Sequence, residues 1–159
     1  MIITGYQGIG KSTLARKEND IIDLESASFW KYENDNKTRP NDWYVYYCQV
    51  AEHLSKQGYI VFVSCHQQVR DWLFKNGKEK FCAIYPSITI KNDWLKRLEN
   101  RYNTTKSEKD LRALEHAQNY FDSDIQKLDY ENSYNIELYS NSVKIWDINY
   151  DLKKLVDLL

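Results

Sequence analysis

Eight consecutive residues, Gly5-Tyr6-Gln7-Gly8-Ile9-Gly10-Lys11-Ser12, carry the densest chemistry in this chain. They match the spacing G-x-x-x-x-G-K-S/T, the pattern of a loop that wraps a phosphate. Glycine at 5, 8 and 10 lets the backbone enter conformations closed to residues with a Cβ, so successive N–H groups can converge on one anion. The helix expected to begin near Lys11 adds its own N–H groups and the positive end of its dipole. Lys11 is expected to reach the β- and γ-phosphates of a nucleoside triphosphate, and the Ser12 hydroxyl to complete a Mg²⁺ shell shared with them. The expected triphosphate contacts run through Gly5, Gln7, Gly8, Ile9, Gly10, Lys11, Ser12 and Thr13.

Other charged and aromatic side chains could complete a site. Asp23 and Glu25 are two apart and project from one face if the chain is extended there. At the carboxyl end of a strand they meet the rim where open α/β sheets bind ligands. One can hold water on Mg²⁺ while the other takes a proton from an attacking hydroxyl or grips a polar acceptor; the alternative is a strand-end turn with solvated acids. Arg39, just before Pro40, can clamp an anion, and Trp30 or Phe29 can stack on a ring, or the aromatics can cover the core edge. Arg70 has two open readings, an acceptor phosphate or an ion pair with Asp71 or another neighbour. Arg97, Arg101, Lys106 and Arg112 suit the charge spread over a transferring phosphoryl group, against the ordinary alternative of a solvated helix face.

These residues need a scaffold, and the apolar pattern supplies one. Met1-Ile2-Ile3-Thr4 reads as a buried first strand and Ile21-Ile22-Asp23-Leu24-Glu25 as a second. Residues 26 to 41 are polar and irregular and, extended to 43, form a flap. Trp43, Tyr47, Val50 and Leu54 follow helical spacing, and the run Tyr59 to Val63 fits a strand buried on both faces. A helix carrying Val69, Trp72 and Leu73 ends near Asn76-Gly77, and Phe81 to Tyr85 is a fourth strand. Asn92 is the expected cap of a helix with Trp94, Leu95, Leu98 and Tyr102 on one stripe. Ser107 and Asp110 open a long helix with Leu111, Leu114, Ala117, Phe121, Ile125 and Leu128 on another. Residues 129 to 142 leave strand and helix both open; Val143 to Ile148 reads as the fifth strand, and Leu152, Leu155, Val156 and Leu159 mark a closing helix. Five strands alternating with helices imply one α/β domain over residues 1–159, a three-layer α/β/α fold with a five-stranded parallel sheet. The two helices around residues 97–112 look like a small lid.

Composition narrows the function classes. A formal net charge of −1 and a pI of about 6.3 give no general attraction to nucleic acid or to an anionic membrane. Cys48, Cys65 and Cys82 are odd in number with no C-x-x-C pair, which suits reduced thiols and a cytoplasmic location. His53, His66 and His116 show no zinc-ligand spacing. No apolar run approaches the roughly 20 residues that span a bilayer, and a first strand beginning at residue 1 is expected to leave no room for a signal peptide.

With these residues on the page, the chain resembles the P-loop kinases of small molecules, the nucleoside monophosphate kinase-like group that includes shikimate and gluconate kinases. Gly5, Gly10, Lys11 and Ser12 carry the phosphate-loop likeness, and Asp23-Leu24-Glu25 is similar to the D-x-D of shikimate kinases. Val61 to Cys65 with Val69-Arg70-Asp71 resembles the third strand and helix of gluconate kinases. Trp94 to Arg112 resembles the helix–lid–helix of the group, and Trp146 to Asn149 its adenine-bordering loop. The composition, with 13 Tyr and 5 Gly, resembles that of proteins from AT-rich bacteria and their phages.

The resemblance implies transfer of the γ-phosphoryl group of ATP, with Mg²⁺, to a small acceptor under a closing lid. Lys11, Asp23, Glu25, Arg97 and Arg101 are then the catalytic set. Arg97 and Asn149 join the loop in holding ATP, Ser12 and Asp23 hold the metal, and Asp23, Glu25, Trp30, Arg39, Arg70 and Arg112 face the acceptor. Departures are informative. Ser64 stands where many relatives carry a metal-side Asp, and neither the D-G-F/Y-P-R motif of adenylate kinases nor the N-K-x-D guanine signature is present. The leading acceptor is a (deoxy)nucleoside monophosphate, and a polyol or sugar acid is the alternative. An ATPase or switch working through a protein partner is a third reading, and a polynucleotide 5′-hydroxyl acceptor is disfavoured by the charge.

Overall fold

A β-branched run with no polar face must be buried on both sides, and β1 (Ile2–Gly5) is: Ile2, Ile3 and Thr4 have no solvent exposure. The computed structural model describes residues 1–29, 31–33, 36–134 and 142–159. In it β1 is the middle strand of a five-stranded, all-parallel sheet. The strands are β2 (Ile21–Asp23), β5 (Ile60–Ser64), β1, β6 (Phe81–Pro86) and β7 (Val143–Ile145), in that spatial order. A small antiparallel hairpin, β3 (Lys31–Glu33) with β4 (Asn36–Thr38), stands apart from it.

The helices are α1 (Lys11–Ala15), α2 (Trp43–Lys56), α3 (Gln67–Asn76), α4 (Lys91–Thr105), α5 (Glu108–Tyr134) and α6 (Leu152–Asp157). The chain leaves β1 toward one sheet edge to make β2, then works back through β5 and β6 to β7. Right-handed crossovers therefore put α1 on one face and α2, α3 and the α4–α5 pair on the other, giving the expected three-layer α/β/α fold. The reversal of direction falls between β1 and β5, where an open sheet leaves a crevice at its carboxyl ends. Gly5 pairs in register with Ser64 there.

Several elements differ from the pattern in the sequence. The strands β2 and β7 stop at Asp23 and Ile145, short of the Glu25 and Ile148 expected from apolar content. The stretch expected to be irregular contains a 3-10 turn (Ser26–Phe29) and the β3–β4 hairpin, whose polar strands give no apolar alternation to read. Asn92 does not cap α4. Ser87 does the capping one element earlier, its hydroxyl accepting from Thr89 N at 3.3 Å, and the resulting 3-10 turn runs into α4 at Lys91. Ser107 opens α5 as expected, accepting from Asp110 N at 3.2 Å. α5 reaches Tyr134, and the remainder of the stretch left open between strand and helix lies outside the described residues.

At 27 residues α5 is about 40 Å long, enough to cross the whole sheet. Its stripe of Leu114, Ala117, Phe121, Ile125 and Leu128 is buried, and polar anchors fix it at intervals. The phenol of Tyr6 donates to Asp124 at 3.3 Å and that of Tyr85 to Asp129 at 3.0 Å. Arg70, 5 % exposed, forms a two-pronged pair with Glu131, 2.7 and 2.8 Å, and donates to the Cys65 carbonyl. The neighbour that Arg70 meets is thus on α5 rather than Asp71. The thiols of Cys48, Cys65 and Cys82 are free, and no helix among the described residues is long and apolar enough to cross a membrane. Because Glu131→Ala strands a buried guanidinium, urea unfolding should show a loss of about 3 kcal/mol, where an exposed pair would lose less than about 1 kcal/mol.

Candidate functional site

The loop between β1 and α1 has a consistent polarity. Lys11 Nζ donates to the carbonyls of Gly5 (2.8 Å) and Tyr6 (3.4 Å). Trp94 Nε1, from α4, donates to Gln7 O at 3.0 Å, and Tyr150 OH donates to Ile9 O at 2.8 Å. Gly10 O accepts from Thr13 N and Leu14 N. The loop amides show the reverse. Among the described residues the N–H groups of Gln7, Gly8, Gly10, Lys11 and Ser12 have no protein acceptor. Gly8 and Gly10 sit at φ 89° and 99°, in the left-handed region. A Cβ on Gly8 would also come 2.9 Å from Leu98 Cδ2 and 3.3 Å from Trp94 Nε1. With these carbonyls met by donors and five amides unmatched, the loop has the hydrogen-bonding pattern of an anion nest. With only five residues, α1 adds little dipole, so the nest outweighs it.

Two carboxylates border this loop, and they act separately. Because β2 ends at Asp23 and a 3-10 turn follows at Ser26, Asp23 and Glu25 do not share one extended strand. Asp23 accepts from the Ser12 hydroxyl, while Glu25 pairs with Lys109 of α5. Burial lowers the pKa of the Lys11 ammonium, and the Asp23 charge opposes that shift. The Ser12 hydroxyl and the Asp23 carboxylate are hard oxygen donors of the kind Mg²⁺ takes. No three His, Cys, Asp or Glu side chains converge among the described residues, so a cation here would draw its other ligands from phosphate and water.

A second group lies at the ends of β2 and β5. The Arg39 guanidinium stacks 4.0 Å over the Trp43 ring and reaches Ser26 Oγ and His66 Nε2, each at 3.4 Å. A guanidinium only donates, so His66 Nε2 is the acceptor; the imidazole proton then sits on Nδ1 and is given to Ser64 Oγ at 2.9 Å. Tyr47 OH joins the two strand ends, donating to Leu24 O (2.7 Å) and accepting from Ser64 N (2.8 Å). Crowding by protein, and then the Arg39 charge, push the His66 pKa down to about 4. Phe29 packs edge-on against Tyr47 at 5.1 Å, the core-covering alternative for that ring. Trp30 lies outside the described residues.

The hairpin arginines are distributed unevenly. Arg97 lies against Tyr150 and Trp94, whose rings stack at 6.0 Å, and donates to Ile148 O at 3.3 Å. It thus meets the loop of Asn149, whose own N and Nδ2 are turned onto Asp147. Arg101 ties α4 to Asp110 of α5 at 2.7 Å, and Arg112 pairs with Glu108 on the surface of α5. Neither Arg112 nor Arg70 is brought to the loop.

No protein-family model matches the chain, and no curated protein does either. Among solved structures it is similar to the crystal structure of an uncharacterized protein from Eubacterium ventriosum, at 12 % identity and a TM-score of 0.46. The match covers 99 % of this chain and 93 % of that one. A likeness at that level carries no argument about function, which rests on the side chains.

Trp94, Tyr150, His66 and Lys109 were not legible as site residues in the sequence. Helical spacing marks Trp94 as core, which it is, but spacing is blind to its indole donor. Trp94→Phe keeps most of the ring and removes that donor. It should destabilise the fold by about 1–3 kcal/mol and speed hydrogen exchange at the loop amides. The second test is a pH titration. The folded His66 pKa lies below its ordinary value of 6.5, so the stability that its neutral form contributes is present above pH 6.5 and lost as pH falls toward 4. Imidazole NMR should give a midpoint near 4, and Arg39→Gln should raise it.

Proposed function

We propose that this protein is an ATP-dependent phosphotransferase that moves the γ-phosphoryl group to a small anionic acceptor, with a (deoxy)nucleoside monophosphate as the leading candidate. The observation that carries the reading is the loop in which the Gly5, Tyr6, Gln7 and Ile9 carbonyls are met by side-chain donors and five amides are left without protein acceptors among the described residues. Magnesium-bound ATP would supply an electrophilic phosphorus, the acceptor oxygen forming the new bond as the bond to ADP breaks. The loop amides and Lys11 would hold the polyphosphate; Ser12 and Asp23 would hold the metal. Arg97, with the Asn149 loop, borders the place for the base.

Arg39 is the cation suited to the acceptor. Its guanidinium stays charged at any working pH, and its stacking on Trp43 fixes the fork. His66 remains neutral beside it, so the acceptor meets one positive charge rather than two. A monophosphate fits that arrangement better than a neutral polyol, since the stacked Arg39 fork suits an anion. The reading places the enzyme in the cytosol, which the three free thiols suit.

A coupled assay of ADP release over deoxynucleoside and nucleoside monophosphates, nucleosides and sugar acids tests this. The expected result is turnover far above the water rate with a monophosphate. Slow hydrolysis indifferent to every acceptor would instead indicate an ATPase or switch. Lys11→Ala should lower turnover by about a hundredfold or more, since it removes the ammonium that would turn from the Gly5 and Tyr6 carbonyls to the transferring group. Asp23→Asn should reduce turnover much more than ATP affinity, and unchanged turnover would remove Asp23 from the chemistry.

A further inference from the structure

Four cations were candidates for the lid, and the structure commits three of them elsewhere. Arg97 holds Ile148 O and two aromatic rings, Arg101 holds Asp110, and Arg112 holds Glu108. Lys106, the fourth, donates to Asn103 and lies over Tyr102. The hairpin cation that does reach the phosphate-loop rim is Lys109, in the first turn of α5. Its partner there, 84 residues away in sequence, is Glu25.

The chain of contacts from that pair to the loop is short. Glu25 is two residues from Asp23, Asp23 accepts from Ser12, and Ser12 follows Lys11. The charges of Glu25 and Lys109 both act on the Lys11 ammonium. The Lys109 and Glu25 side chains are 66 % and 42 % exposed, and ion pairs that open to water hold weakly and exchange readily. A lysine also suits exchange, with a compact charge on a flexible stem, where the guanidinium of Arg101 suits a fixed brace. A triphosphate in the nest would present more negative charge to that stem than one carboxylate does.

We propose that Lys109 is the phosphate-contacting cation of the α4–α5 hairpin, and that Glu25 is the counter-ion it leaves when a triphosphate fills the loop. The inference rests on the phosphotransferase reading above. It assigns Glu25 a different task from gripping the acceptor: it holds the hairpin tip at the rim and yields it to a stronger anion. Lys109 then bears on the terminal phosphate, which ATP has and ADP lacks.

Calorimetry with magnesium and either a non-hydrolysable ATP analogue or ADP tests this without reference to turnover. Lys109→Met should weaken the ATP analogue roughly tenfold, the effect of one charge-assisted hydrogen bond, and leave ADP affinity unchanged. Lys109→Arg should restore most of the loss. Lys91→Met removes an equal charge from the outer side of the hairpin, where Lys91 pairs with Asp122, and should change neither affinity. Glu25→Gln should tighten the ATP analogue about threefold by releasing Lys109. In a Lys109→Met background the same substitution should have no effect. Equal tightening in both backgrounds would mean that Glu25 acts by repulsion alone and would overturn the exchange. Unchanged affinity in Lys109→Met would overturn the assignment while the phosphate-loop reading stood. A wild-type chain that binds neither nucleotide would overturn both.

Discussion

The polarity of one loop sets the terms for the rest of the molecule. A peptide unit that turns its N–H toward a concave centre must turn its carbonyl away from it. Each such carbonyl, if buried, needs a donor, because an unmet one costs about 1–3 kcal/mol. Residues 5 to 10 draw those donors from three parts of the chain. Lys11 is adjacent, Trp94 lies 87 positions beyond Gln7, and Tyr150 lies 141 positions beyond Ile9. The loop can hold its shape only if α4 crosses above it and the segment after β7 returns beside it. The architecture around β1 thus meets a hydrogen-bonding demand as well as burying apolar surface.

The helix α5 meets a related demand on a larger scale. A phenol buried at the sheet surface needs an acceptor, and Tyr6 and Tyr85 find theirs in Asp124 and Asp129. Burial, then the neighbouring aspartate, raises the Tyr6 pKa, so its hydroxyl stays a donor. Asp124 also meets His116 at 2.8 Å, and Asp129 meets Lys144 of β7 at 2.6 Å. One helix thereby touches the rim of β2, the loop between β1 and α1, α3, β6 and β7. A displacement of its first turn is connected, through a rigid element, to the base of the loop.

What the sequence discloses and what it conceals divide along a physical line. The loop between β1 and α1 is legible because its left-handed turns need glycine at fixed positions, 8 and 10. The three inner strands are legible because a strand covered on both faces has little polar to interrupt it, as Val61, Phe62 and Val63 illustrate. Strand ends are less so: Leu24 N still bonds Phe62 O, yet the chain has already begun to turn toward Ser26. The polar strands β3 and β4 are held by backbone pairing, which leaves no apolar signature. His66 and Lys109 are hidden for another reason. Each is an ordinary polar residue whose importance comes from a partner far away, Arg39 for one and Glu25 for the other. Arg112 shows the converse, since lid placement made it attractive and an adjacent Glu108 claims it.

The site is also electrically self-contained, and that bears on selectivity. Lys109 faces Glu25, the Lys11 ammonium lies within the influence of Asp23, and His66 is kept neutral beside Arg39. A bare cluster of cations would attract any anion, with a strength that falls as salt is added. Cations that already have partners ask more of a ligand. On the proposed reading a ligand would replace a carboxylate or a carbonyl at each point, which a triphosphate would do at several points together and a single small anion would not. With a chain of formal net charge −1, discrimination of this kind would come from geometry at the loop rather than from a long-range field.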